Sequence, residues 1–428
     1  MEIKRDVYLE RLIDRMHNGM AKVVTGVRRC GKSYLLFDIF GRHLRSSGVE
    51  ESQIIELALD DDVNAAYRDP AALSAYLRSR ITDKERMHYV LLDEVQYAIS
   101  EEEMKGTEPP RLYGVLNGLL RLRNVDVYVT GSNSKMLSSD VMTQFRGRGD
   151  EVRVRPLSFA EFMQGFDGDT YRGWAEYTVF GGMPLILSMR TDERKSSYLE
   201  RLFTEVYLKD IVARNHLEKT RELEELINVL ASDIGCLTNP TKLEDTFRSV
   251  SKSTISSNTI SAYIGCLREA FLVEEAQRYD VKGRRLIGSP KKYYFEDMGL
   301  RNARLGFRQV EPTHIMENIV YNELRMRGYS VDVGVVEKRG RKDGRDFRAS
   351  LEVDFVANLG SRRYYIQSAY QLPDAAKVEQ EKASLKAIGD SFKKIVLTRD
   401  VVKPVYDDDG ILTMSVLDFL LDPRSLEY

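Results

Sequence analysis

Short apolar runs alternate with amphipathic stretches through the first third of the chain, the pattern of a parallel α/β sheet. Val23-Val24-Thr25 predicts a strand entering a glycine-bounded turn, and Ser33 to Phe40 predicts the helix that follows. Further strands are expected at residues 54–59, 89–92 and 125–130, with a shorter one at 152–154. Beyond Pro156-Leu157-Ser158-Phe159, helical periodicity dominates from about 159 to 272. Residues 273–295 read as a two-stranded element turning near Lys282-Gly283-Arg284. A last α/β segment begins near 311, with strands at 351–356, 364–367 and 394–398. The chain is expected to divide into domains at 1–155, 156–215, 216–305 and 306–428.

Composition narrows the class. The chain has 428 residues, too many for one ordinary core, and its 43% hydrophobic and 30% charged residues suit a globular fold. No run approaches the roughly 20 apolar residues of a membrane span. The N-terminal Met1-Glu2-Ile3-Lys4-Arg5-Asp6 lacks the apolar core of a secretory signal, so no membrane partner and a cytoplasmic location are expected. Cys30, Cys236 and Cys266 lie far apart, and the five histidines show no HExxH or paired spacing. Neither a disulfide framework nor a catalytic zinc is expected. A net charge of −2 excludes a globally basic nucleic-acid binder but leaves room for a local basic face.

Gly26-Val27-Arg28-Arg29-Cys30-Gly31-Lys32-Ser33 matches GxxxxGK[ST] at each fixed position. Such a loop points its backbone N–H groups at phosphate; Lys32 reaches the β and γ oxygens, and Ser33 ligates magnesium. The following helix adds its positive end. Tyr89-Val90-Leu91-Leu92-Asp93-Glu94 is an apolar strand ending in acid, with Asp93 expected on magnesium and Glu94 on the attacking water. Val127-Tyr128-Val129-Thr130-Gly131-Ser132-Asn133 brings a polar residue to the end of a neighbouring strand. Asn133 is the candidate there, because an amide both donates and accepts, although Gly131-Ser132-Asn133 also reads as a plain turn. Charge developing in the transition state calls for a cation. Arg148 is the first candidate and Arg146 the second, each equally readable as solvated surface. Arg28 and Arg29 either touch nucleotide or face solvent. ATP and Mg2+ are the ligands this set implies.

With these residues on view, GVRRCGKS, YVLLDEVQ, VYVTGSNSKML and GRGDEVRVRPLSFAEF resemble the bacterial and archaeal AAA-type ATPases that carry a C-terminal nuclease-like domain of uncharacterised function. The resemblance runs through most of the chain. It implies an α/β architecture: a P-loop AAA+ parallel-sheet domain, a helical and winged-helix domain, and a C-terminal PD-(D/E)xK nuclease-like domain. It also implies Lys32 and Ser33 in Walker A, Asp93 and Glu94 in Walker B, Asn133 as sensor 1, and Arg148 at the family's Gly-Arg position.

Downstream, Leu223, Leu226, Ile227, Leu230 and Ile234 share one helical face. A polar stretch at 251–258 leads into a second helix with Ile260, Ile264, Leu267 and Phe271 aligned, giving a helix-turn-helix followed by a wing at 273–295. Lys252, Lys282, Arg284, Arg285, Lys291 and Lys292 are then candidate phosphate contacts, or simply a solvated face. In the nuclease-like segment Glu317, Glu352 and Asp354 form the acidic set, and period-two spacing turns the last two to one side. The next strand has Gln367 where that pattern needs an acid and Ala369 where it needs a lysine, and Lys377 lies too far along. Cleavage is therefore expected to be lost. The leading reading is an ATP-driven switch or motor acting on DNA or a protein, with a homo-oligomer as one arrangement that supplies Arg148 from a neighbour. The alternatives are a DNA-binding regulator with ATP as a structural ligand, and an active nuclease.

Overall fold

The computed structural model describes residues 2–100, 102–103, 108–131, 149–251, 255–308, 311–342, 345–400 and 403–428. They form two compact units, residues 2–156 with 269–271 and residues 157–268 with 272–428.

The first unit is built on five parallel strands, β1 (Ala21–Thr25), β2 (Ile54–Ala58), β3 (His88–Asp93), β4 (Val125–Thr130) and β5 (Gly149–Arg153), in the order β2-β3-β4-β1-β5. β1, β3 and β4 are buried along their whole length, as parallel strands covered on both faces must be. Val23, Val90, Leu92, Val127 and Val129 pack in one core with Leu112, Leu116 and Leu119 of the helix Arg111–Leu119 and with Leu73 and Leu77 of the helix Pro70–Arg80. The polar position inside the apolar run of β4 has a partner: Asp126 pairs with buried Lys22 of β1 and accepts from the Tyr128 hydroxyl at 2.9 Å. Breaking such a buried pair on one side costs about 3–5 kcal/mol. The fifth strand lies earlier than its apolar residues suggested, at 149–153, and pairs with β1 over Ala21–Thr25.

The second unit opens with helices, among them Phe159–Gly165, Thr170–Phe180, Asp192–Arg201, Thr220–Ser232, Pro240–Thr246 and Ser257–Glu269. An eight-stranded sheet follows, from β6 (Val273–Asp280), β7 (Arg285–Phe295), β8 (Ser330–Lys342), β9 (Arg345–Leu359), β10 (Arg362–Ala369), β11 (Lys393–Thr398), β12 (Val405–Tyr406) and β13 (Ile411–Ser415). Its order is β12-β13-β11-β10-β9-β8-β6-β7. β8, β9 and β10 run antiparallel, whereas β10, β11 and β13 are parallel, with the helix Ala375–Lys386 between β10 and β11.

The sequence reading separates the hairpin at 273–295 from the final α/β segment. In the structure they share one sheet, because Arg278, Tyr279 and Asp280 of β6 pair in parallel with Val333, Gly334 and Val335 of β8. Pairing across some fifty residues leaves no trace in local periodicity. β8 itself is also unexpected from the sequence. Gly334 interrupts its apolar run at a bulge, and a Cβ there would lie 2.9 Å from both Val353 and Val356, so the strands approach too closely for any other residue.

Candidate functional site

The C-terminal ends of the parallel strands β1, β3 and β4 are where open α/β sheets hold ligands, and β1 leads there into a loop. The loop after β1 holds three positive φ angles in six residues, at Gly26 (139°), Arg29 (62°) and Gly31 (99°). Gly26 is required twice over, since a Cβ there would stand 2.0 Å from the Val154 carbonyl oxygen. Arg29 carries the left-handed conformation without a glycine's freedom, a strain of about 1–2 kcal/mol. Val27 and Cys30 are fully buried, so within this loop they offer a ligand only backbone atoms. Arg28 is half-buried and Arg29 exposed.

Arg5 braces the loop from outside the motif. Its guanidinium donates to the Cys30 carbonyl at 3.1 Å and to the Arg155 carbonyl at 2.6 Å. Lys32 is buried, and its ammonium donates to the carbonyls of Gly26 (3.1 Å) and Val27 (3.0 Å), which stretches the side chain back along the concave side of the loop. An ammonium has three donors, and these carbonyls use two.

Parallel pairing of β3 with β4 sets Leu92 beside Val129 and so delivers Asp93 to Thr130. Thr130 is fully buried; its hydroxyl donates to Asp93 and accepts from the Glu94 N–H at 3.0 Å. The Ser33 hydroxyl reaches the same Asp93 carboxylate. Burial pushes the Asp93 carboxyl above its ordinary pKa, against these two hydroxyls, and the acids Glu94 and Asp60 push it further. A carboxylate among acids and hydroxyls gains from a cation. One carboxylate plus one hydroxyl is the sparse protein set that suits magnesium arriving with phosphates and water. Among the described residues no three His, Cys, Asp or Glu side chains gather as a self-sufficient metal site.

Glu94 follows in a left-handed conformation (φ 51°, ψ 50°), and its carboxylate accepts from the Gln96 amide. Strain of this kind collects where a side chain must be aimed out of a regular element. The structure thus brings Lys32, Ser33, Asp93 and Glu94 to one end of the sheet. Asn133, Arg146 and Arg148 lie outside the described residues, as does Lys252. Two residues given no role by the sequence reading, Thr130 and Arg5, support this machinery, Thr130 at Asp93 and Glu94 and Arg5 at the loop backbone. The only trace of Thr130 in the sequence is a hydroxyl closing the apolar run of the strand next to Asp93.

The acids of the second unit meet as well, around an unexpected member. Lys292, expected among the DNA phosphate contacts, is buried. Its ammonium lies 2.9 Å from Glu317, 2.8 Å from Glu352 and 3.9 Å from Asp354. It is excluded from any surface contact. Lys291 is tied to Glu275 at 3.0 Å and Lys282 to the Glu337 carbonyl at 2.7 Å, while Lys282, Arg284 and Arg285 stand exposed at the hairpin turn. Gln367 accepts from the Asp354 N–H at 3.4 Å and donates to Glu381 at 3.3 Å; Ala369 is buried, and Lys377 pairs with Glu381 at 2.6 Å. A cleft of about 530 Å³, lined by Thr313, Ser368, Tyr370, Lys377 and Glu381 among others, opens at this end of β10. Among the described residues no helix is long and apolar enough to cross a membrane.

Residues 18–163 match the family model of an AAA domain, and residues 171–311 match a domain of unknown function (DUF8612). Among solved structures, a Cdc6p from Pyrobaculum aerophilum overlaps 75% of this chain and 96% of its own at 11% identity and a TM-score of 0.30. An Orc1 protein from Aeropyrum pernix, solved with DNA, overlaps 71% and 92% at 14% identity and 0.28. Identity and TM-scores that low carry no partner or activity across. An uncharacterized protein of Methanocaldococcus jannaschii is 25% identical over 97% of this chain and 88% of its own. An uncharacterized protein of Haemophilus influenzae is 31% identical over 98% of both chains. On that near-complete match the protein belongs to the same family as the Haemophilus influenzae protein, with a P-loop AAA+ α/β domain followed by a further α/β region.

Proposed function

We propose that this protein is a magnesium-dependent ATPase whose nucleotide state switches its engagement of a partner. The observation that carries the reading is the chain of contacts Ser33–Asp93–Thr130–Glu94, in which one buried hydroxyl joins the acid suited to a cation and the acid suited to water. Lys32 holds the β and γ oxygens of ATP, and the loop N–H groups hold the remaining phosphate charge. Magnesium, when bound, would neutralise charge at the phosphates. Ser33 and Asp93 hold it, Glu94 orients the attacking water and accepts its proton, and Arg5 keeps the loop in shape. Asn133 and Arg148 complete the proposal as the polar contact to the γ-phosphate and the cation of the transition state, the latter supplied within the chain or by a neighbouring copy. Turnover and nucleotide affinity of wild type, Lys32→Ala and Glu94→Gln test this. Binding is expected to disappear in the first and to survive without turnover in the second. Undiminished hydrolysis by Glu94→Gln overturns the assignment of the base.

DNA is the partner favoured by one observation. Helix Ser257–Glu269 precedes the β6–β7 hairpin, the order of a winged helix, and Lys282, Arg284 and Arg285 are exposed at the hairpin turn. Binding through three such residues is weak and falls with salt, with a log–log slope of about −3. ATPase rates with and without duplex DNA, and anisotropy across a salt series, separate DNA from a protein partner. No stimulation and no salt-dependent binding favour the latter.

A further inference from the structure

We infer that the Lys292 ammonium is the resident cation of the Glu317–Glu352–Asp354 cluster, so this end of the molecule takes no divalent metal. The three acids come from two elements, Glu317 from the helix Pro312–Met326 and Glu352 and Asp354 from one side of β9, while Lys292 enters from β7. A nuclease-like domain would place magnesium among such carboxylates, and the residues here do not fit that ion. Magnesium needs six oxygens at about 2.0–2.1 Å, and the space between these carboxylates is filled by an ammonium in direct contact with two of them. Lys292 cannot swing out cheaply. It is 3% exposed, and β7 is fixed at that residue by its pairing with Ala276 of β6.

Further donors crowd the same carboxylates, one of them on the Glu317 oxygen that already meets Lys292. The Tyr294 hydroxyl donates to Glu317 at 2.7 Å, and the Ser368 N–H donates to Asp354 at 2.8 Å. His314 lies 3.8 Å from the other oxygen of Glu317. The charge balance agrees with this. Burial works against the charge on Lys292, yet Glu317, Asp354 and Glu352 hold its pKa above the ordinary range. The positions that would complete hydrolytic chemistry are spent elsewhere, Gln367 bridging to Glu381 and Ala369 packed in the core. Lys292 thus works as a tether, fastening the β6–β7 hairpin to the helix Pro312–Met326 and to β9.

The test is manganese binding to the full chain without nucleotide, followed by electron paramagnetic resonance, together with thermal melts. Wild type and Asp354→Asn are expected to bind manganese equally, because the cluster contributes no site. Lys292→Met is expected to melt lower than wild type, to gain one manganese equivalent and to recover part of its melting temperature when manganese is added. A manganese equivalent lost in Asp354→Asn would show that metal displaces the lysine and overturns the inference. So does a folded Lys292→Met that gains none. Should that variant not fold, Lys292→Met/Glu352→Gln carries one charge fewer to compensate and is read in the same way, while the comparison of wild type with Asp354→Asn stands by itself.

Discussion

Asp93 in the first unit and Asp354 in the second are both buried, and burial raises the pKa of both above the ordinary carboxylate range. Their company differs. Asp93 has hydroxyls from Ser33 and Thr130 and acids at Glu94 and Asp60. Asp354 has acids too, at Glu317 and Glu352, but an ammonium from the same chain stands among them. A site that must let its cation come and go with nucleotide has to leave the compensating charge out of the protein. A site that carries its own cation gains a permanent cross-link and gives up exchange. On the proposed reading, the same residue type, buried in both places, serves turnover in one unit and architecture in the other.

The comparison breaks most visibly at Glu94. Glu94→Gln is expected to lower ATP turnover by about 10²–10⁴-fold with nucleotide affinity kept, the usual range for loss of a positioned base. Steady-state hydrolysis beside nucleotide titration reads it. No glutamate in the Lys292 cluster should behave this way, and Glu317→Gln or Glu352→Gln is expected to leave turnover unchanged. A turnover defect in either would mean that the second cluster is not merely architectural.

Next in size is Lys292→Met. Removing the ammonium leaves Glu317 and Asp354 buried without their counter-charge, which costs about 3–5 kcal/mol in chemical denaturation. Lys291→Met, one residue away and only partly buried in its pair with Glu275, should cost less, about 1 kcal/mol. Equal losses would show that the hairpin needs positive charge in general rather than this buried contact.

These contrasts explain what the sequence made legible. The P-loop is a contiguous string whose glycines are needed for local reasons, and the apolar run ending in Asp93-Glu94 has the length and position of a buried strand. The first is a tight loop after β1 in the structure and the second is β3. Thr130 escaped because its role exists only across the gap between β3 and β4, and strand neighbours are set by pairing rather than by spacing. Lys292 was misread for a related reason. In Lys291-Lys292-Tyr293-Tyr294 two lysines side by side look like a basic wing, but period two sends them to opposite faces of β7, one toward Glu275 and one into the acid cluster. β8 was hidden by Gly334 and by the charged residues of its outer half, Glu337 to Lys342, which contradict the pattern of a buried strand.

Thr130 sets a smaller effect that still distinguishes the two aspartates. Thr130→Val keeps the shape and removes the hydroxyl shared by Asp93 and the Glu94 N–H, leaving a buried donor and a buried acceptor short of a partner. A loss of about 1–3 kcal/mol is expected, together with slower turnover, and Thr130→Ser should restore both. Turnover that falls without recovery in the serine variant points to the methyl group and its packing instead.

The finest discrimination comes from charge removal at Asp93 itself. Burial raises its folded pKa above the unfolded value, so its contribution to stability is fully present below the unfolded carboxyl range of about 3.9 and is lost as pH rises through the folded value. Asp93→Asn keeps an oxygen for the two hydroxyls and carries no charge. In the absence of nucleotide it should therefore match wild type in acid and exceed it at neutral pH, by on the order of 1 kcal/mol. Magnesium and ATP should reverse that order, because only the charged carboxylate gains from the cation that arrives with the phosphates. Thermal melts from pH 4 to 8, with and without the nucleotide, read both halves. If Asp93→Asn is instead the less stable protein at neutral pH without nucleotide, then Asp93 already has a cation of its own and the two sites work by the same rule.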